Sequence, residues 1–210
     1  VRLSDGTPAL ASSGTPSDCV ALAVMGVVET PIDLVVSGIN VGANLGQDIT
    51  YSGTVAGAIE ATISGLPALA VSLDSYDPTA DFDPAARVAA AVAAGLAESA
   101  LVPGVFLNVN VPARPLSEIT GMRWTRLGRR VYRGILLRRQ DPRGRPYYWI
   151  GGDPAGGDPD PDTDIGAVAH GMVSITPVTL DMTADHYLHE PLPWQEYLHS
   201  RVVAALGSTS

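Results

Sequence analysis

Lysine is absent from this 210-residue chain; all 13 basic residues are arginine, set against 22 acidic ones. The resulting net charge of −9 excludes a general nucleic-acid binder. Cysteine is nearly absent too. The single Cys19 rules out an internal disulfide and fits a reducing compartment. Long apolar runs are missing: the Ala-rich segment from Ala85 to Ala100 is broken by Arg87 and Glu98, too short and too polar to cross a bilayer. No leader-like segment opens the chain, so no membrane association and a cytoplasmic location are expected. The first residue is Val1 rather than Met, and no strand-plus-phosphate-loop start is present, so a fragment or trimmed form is expected.

What is present is organised around Ile32 to Leu73. The apolar run Ile32–Val36 leads into a loop holding Gly38, Gly42, Gly46 and Gly53 with Asn40 and Asn44. A helix follows from Thr54 to Ser64, then a second apolar run from Ala68 to Leu73. This reads as strand, long loop, helix, strand: a βαβ unit with two buried parallel strands. The loop lies at the carboxyl end of a strand, where open α/β sheets bind ligands. It enters the helix through Ser52-Gly53-Thr54, and a helix start is a ready anion site. Asn40 has a plainer reading as a residue that tolerates a left-handed turn.

The rest of the chain supports one α/β domain with appendages. Thr15-Pro16-Ser17-Asp18 carries the signals of a capped helix ending before Pro31. Asp83-Pro84 opens a helix to about Ser99, and Val105–Val111 reads as a strand whose Asn108 and Asn110 share one face as core-edge amides. Nine of the 13 arginines fall between Arg123 and Arg145, among them Arg133. They mark an antiparallel arm at about 121–150, built from Met122–Leu127, Val131–Leu137 and Tyr147–Ile150. Its charge is read as a solvated surface meeting a partner subunit or nearby acids. Gly151 to Asp164, with Asp153, Asp158, Asp160 and Asp162, reads as a flexible loop without the pattern of a calcium site. Thr163-Asp164 caps a short helix, and Met172–Thr176 is a strand stopped by Pro177. The tail at about 191–206, with Trp194 and Leu198, reads as a docking helix. His186 and His189 lack the partners of a metal site. No Ser-His-Asp set competes, and Cys19 reads as core packing.

Ser37-Gly38-Ile39-Asn40-Val41-Gly42-Ala43-Asn44-Leu45-Gly46, Tyr51-Ser52-Gly53-Thr54-Val55 and Pro67 to Leu73 closely resemble the SurE family of survival proteins, metal-dependent 5′/3′-nucleotidases and acid phosphatases. The likeness continues through Gly14 to Val20, Asn108 to Pro112, Gln140 to Gly144, Tyr148 to Gly151, Thr163-Asp164 and Val173 to Pro177. The resemblance implies a Rossmann-like α/β fold, a mostly parallel sheet flanked by helices, with an extended β-hairpin arm and a C-terminal helix for subunit contacts. It implies hydrolysis of nucleoside monophosphates, one Mg²⁺ or Mn²⁺ per subunit, and a homo-oligomer, dimer or tetramer. It makes Asn40 a metal ligand and places Asn44, Ser52, Gly53 and Thr54 at the phosphate. The family's adjacent aspartates and ligating serine have no counterpart here; the chain contains no Asp-Asp pair. Catalytic residues therefore go unassigned, and the chain by itself is expected to be inactive, because one neutral amide does not hold Mg²⁺ against water. The competing expectations are a non-catalytic nucleotide- or phosphate-binding protein and an oligomerisation module.

Overall fold

Capping chemistry starts the first helix of the computed structural model, which describes the chain except residues 78, 99–101, 133, 153–155, 191 and 208–210. Ser99, Arg133, Asp153 and Pro191, named above, thus lie outside the described residues. Thr15 and Asp18 form a reciprocal capping box at α1 (Pro16–Leu22), with Pro16 in its first turn. Beyond α1, an irregular helical turn (Ala23–Val27) ends at Gly26, whose φ of 104° suits a residue without Cβ.

Five strands make the main sheet: β1 (Val35–Val41), β2 (Ala68–Asp74), β3 (Val105–Pro112), β4 (Met122–Trp124) and β9 (Val173–Thr179), in the order β1-β2-β3-β9-β4. β1, β2 and β3 run parallel, β9 is antiparallel to β3, and β4 is parallel to β9. Helix α2 (Gly53–Ile63) joins β1 to β2, and α3 (Asp83–Glu98) joins β2 to β3. This is the mostly parallel, helix-flanked α/β sheet expected from the alternating apolar runs.

Strand alternation divides the core. Leu69, Val71 and Leu73 pack with Leu107, Val109 and Val111 against Ala85, Ala89 and Leu96 of α3. The alternate residues Ala68, Ala70 and Phe106 pack against Val55, Ala58 and Ala61 of α2. Toward the carboxyl ends of β2 and β3 this second face turns polar, with Ser72, Asn108 and Asn110 fully buried.

Three boundaries differ from the sequence reading. β1 extends through Asn40 to Val41, with a register shift between Ser37 and Asn40, so the first five residues of the expected loop are strand. No non-glycine residue among those described has a positive φ, which removes the left-handed reading of Asn40. Met122–Trp124 belongs to the main sheet, and the hairpin consists of β6 (Gly134–Gln140) and β7 (Pro146–Gly152). β5 (Arg130–Val131) pairs with β8 (Gly156–Gly157) at its base. Pro177 does not stop β9, because the β4 pairing reaches only to Ile175 and the strand is an edge on that side beyond it.

Several arginines pair with acids: Arg126 with Asp158 and Asp160, Arg123 with Asp162, and Arg145 with Asp141. The part of the expected flexible loop that holds Asp158, Asp160 and Asp162 is thus tied down, and it ends in the fully buried Thr163 and Asp164 at the start of α4 (Asp164–Ala169). Residues 181–210 form a second compact unit holding α5 (His186–His189) and α6 (Pro193–Gly207). No helix among the described residues is long and apolar enough to cross a membrane.

Candidate functional site

The carboxyl end of β1 and the amino end of α2 open onto a cavity of about 330 Å³. Asn40, Asn44 and Ser52 line it together, with Asp48, Tyr51, Tyr76 and Tyr132 also contributing. Three of the expected site residues therefore meet on one surface. Gly53 and Thr54 sit at the helix start outside the lining. A Cβ on Gly53 would meet Pro16 of α1 at 3.5 Å, an ordinary contact distance. Ser52 Oγ accepts the Val55 N–H, which caps α2. The N–H groups of Gly53 and Thr54 are among the orphan donors of a first turn.

Asn44 is held from every direction. Its N–H donates to Asn110 Oδ1 at 2.8 Å, and its carbonyl accepts from Asn108 Nδ2 at 2.9 Å and Asn110 Nδ2 at 3.0 Å. Its side-chain amide lies 2.7 Å from Ser72 Oγ. These are buried bonds, and breaking one strands its partner at a cost of about 1–3 kcal/mol. Asn108 Oδ1 is the one buried side-chain polar atom without a partner among the described residues. Asn44 Nδ2 is the donor in the bond to Ser72 Oγ, which uses one of the two N–H groups of the amide and leaves the other as a donor.

The glycine loop is also fixed laterally. Gly46 N–H donates to Asp164 Oδ2 at 2.7 Å, while Gly128 and Ile165 N–H groups donate to Oδ1 at 2.7 and 2.8 Å. Burial pushes the Asp164 carboxyl above the usual carboxylate range, against the opposing pull of those three donors. Gly46 has φ +52°, and a Cβ there would stand 2.3 Å from the Gly128 carbonyl oxygen. Next along the turn, Asp48 pairs with Arg130 at 2.8 Å and accepts from the Tyr132 hydroxyl. Arg130 N–H donates to Gln47 Oε1 at 2.9 Å. The segment that leads into the hairpin thus forms one wall of the cavity.

The sequence reading passed over Ser72, Tyr76 and Tyr132, took Asp164 for a helix start, and took Asn108 and Asn110 for core-edge amides. One signal was available: the chain has four asparagines, spaced Asn-x₃-Asn and Asn-x-Asn, and all of them belong to this region.

A model of the family described as "Survival protein SurE" matches residues 2–134. The chain belongs to the SurE family. Among family members, the 5′-nucleotidase SurE of Herpetosiphon aurantiacus is 54% identical over 184 residues, covering 87% of this chain and 72% of that protein. The 5′-nucleotidase SurE of Chloroflexus aggregans is 48% identical over 194 residues, covering 92% of this chain and 77% of its own length. In three dimensions, the SurE crystal structure from Aquifex aeolicus aligns with a TM-score of 0.74 at 38% identity, covering 89% of this chain and 74% of that one.

The family resemblance implies a metal ion, and the residues present meet that requirement only in part. Asn40 Nδ2 donates to the Gly42 carbonyl at 2.8 Å and the Val41 carbonyl at 3.2 Å, so the Oδ1 atom is left for a cation. No group of three His, Cys, Asp or Glu among the described residues could hold a metal ion. One neutral oxygen does not replace the coordination shell of Mg²⁺. The described residues alone do not make a metal centre.

Proposed function

We propose that this protein is a phosphomonoesterase that hydrolyses nucleoside 5′-monophosphates, and 3′-monophosphates as well, to nucleoside and phosphate. The observation that carries the reading is the convergence of Asn40, Asn44 and the start of α2 on one cavity. The names of the relatives, 5′-nucleotidase SurE, point the same way. Asn44 donates its NH₂ group to a phosphoryl oxygen, held in aim by Ser72, Asn108 and Asn110. The N–H groups at the start of α2 add donors where negative charge grows on the transferring group. The rigid floor prevents the loop from relaxing when charge develops, which is the condition for electrostatic stabilisation.

The proposal includes one divalent ion per subunit, Mg²⁺ or Mn²⁺, with Asn40 Oδ1 as one ligand and the others outside the described residues. It also includes a cytoplasmic homo-oligomer. The hairpin exposes Leu136, Tyr148, Trp149 and Ile150, and α6 exposes Trp194, Leu198 and Val202. Removal of residues 191–210 should lower the oligomeric state in light scattering; an unchanged oligomer contradicts that role for the tail.

Release of phosphate from nucleoside monophosphates, with and without Mn²⁺, tests the activity. The full-length protein should turn over, and Asn40→Ala in it should lose most Mn²⁺-dependent turnover while keeping its melting temperature. Unchanged turnover at limiting metal contradicts the ligand role of Asn40. The lack of a metal-holding cluster among the described residues favours a second reading, nucleotide binding without hydrolysis. Binding of nucleotide with no turnover in any divalent ion would establish it.

A further inference from the structure

The residues that line the cavity differ sharply in exposure. Asn44 is 7% exposed; Tyr132, Tyr76 and Tyr51 are 63%, 78% and 90% exposed. Three exposed aromatic rings thus line the same cavity as the amides of Asn40 and Asn44. One of them is held in place, and a second borders the glycine loop. A Cβ on Gly42 would stand 3.1 Å from Tyr76 Cε1, so the ring rests against backbone that carries no side chain. Gly42 also has φ +99°, a conformation that side chains disfavour. Tyr132 is anchored at both ends: its hydroxyl donates to Asp48, and the Arg130 guanidinium lies 5.9 Å from its ring centroid.

We infer that Tyr76 and Tyr132 form an aromatic rim that takes the planar base of the substrate by stacking. The inference rests on the nucleoside monophosphate reading above and deepens it by naming the base subsite. Rings fixed in advance lose little freedom on binding and offer flat apolar area, the usual means of holding a base without reading its edge. Edge recognition has little to work with here. Asp48 has one oxygen on Arg130 and the other on Tyr132, and the Tyr132 hydroxyl is committed to that bond. A stacking rim of this kind accepts purines in preference to pyrimidines by area, and does not separate adenine from guanine.

Calorimetric titration of the full-length protein tests this with three probes: a non-hydrolysable phosphonate analogue of adenosine monophosphate, its guanosine counterpart, and inorganic phosphate. Tyr76→Ala should weaken both nucleotide analogues about tenfold and leave inorganic phosphate within twofold. Tyr76→Phe, which keeps the ring, should bind all three as the parent does. Because Tyr76 is 78% exposed, Tyr76→Ala should melt with the parent. Parental affinity of Tyr76→Ala for the nucleotide analogues overturns the rim while the phosphate site stands. Equal weakening of nucleotide and phosphate also overturns it, by showing that Tyr76 acts through the loop. A parent that binds no phosphate overturns the underlying function together with the rim.

Discussion

The two faces of the central sheet are made by the same strands and do opposite work. On one face Leu69, Val71, Leu73, Leu107, Val109 and Val111 are almost wholly apolar and covered by α3. On the other, the apolar set ends at Ala70 and Phe106, and the next residues toward the carboxyl ends are Ser72, Asn108 and Asn110. A polar patch continues outward, where the Thr125 hydroxyl lies 2.8 Å from Ser174 Oγ and 2.7 Å from Thr176 Oγ1. Apolar burial is non-directional and tolerates approximate shapes, whereas buried amides hold a partner only at fixed distances and angles. The α3 face therefore supplies stability, and the α2 face spends part of its buried area on aiming a loop. The difference between the faces lies in Ser72 on β2 and in Asn108 and Asn110 on β3.

Substitutions on the two faces should separate stability from binding. The largest effect is expected from Leu107→Ala on the apolar face, a loss of about 2–5 kcal/mol in urea unfolding, with phosphate affinity of the folded protein unchanged. Reduced phosphate affinity in that variant would show that the faces are coupled. Asn44→Asp keeps the shape but places a carboxylate at the cavity. Phosphate affinity should fall about 100-fold, equivalent to about 2.7 kcal/mol, while the melting temperature drops by only a few degrees. Calorimetry that finds parental affinity removes Asn44 from the site.

Asn110→Ala leaves the Asn44 N–H without its acceptor. A stability loss of about 2 kcal/mol should come with at least a tenfold loss in phosphate affinity, since the loop loses its aim. A stability loss without a binding loss would make Asn110 a structural residue alone. Ser72→Ala is the mildest change. It frees the Asn44 amide to turn, and a three- to fivefold loss in phosphate affinity with a drop of a few degrees in melting temperature is expected. Ser72→Thr, which restores a hydroxyl, should recover affinity where the added methyl group fits; an affinity unaffected by either change contradicts a role for Ser72 in aiming the Asn44 amide.

The sheet, its helices and the cavity's main-chain frame were legible in the sequence because each rests on local signals. The apolar runs at Ala68–Leu73 and Val105–Val111, the cap at Thr15 and the Asp83-Pro84 start all appear where those signals place them. The family likeness was legible because its motifs are long and ordered. The floor of the site was not, since Asn44 meets Asn110 and Asn108 across 66 and 64 residues of sequence, a pairing set by strand register rather than by any local pattern. Asp164 was read as the start of a helix, which it is; its two oxygens also bind Gly46 and Gly128, and no spacing rule reports that.

Because the chain has four asparagines, selective ¹⁵N-asparagine labelling gives a spectrum with four side-chain amide pairs, one for each residue in question. Titration with inorganic phosphate should move the Asn44 side-chain pair most and the Asn44 backbone signal with it, with smaller shifts at Asn108 and Asn110 beneath. If phosphate leaves all four amide pairs in place, the polar face of the sheet does not hold an anion, and the account of this site is wrong.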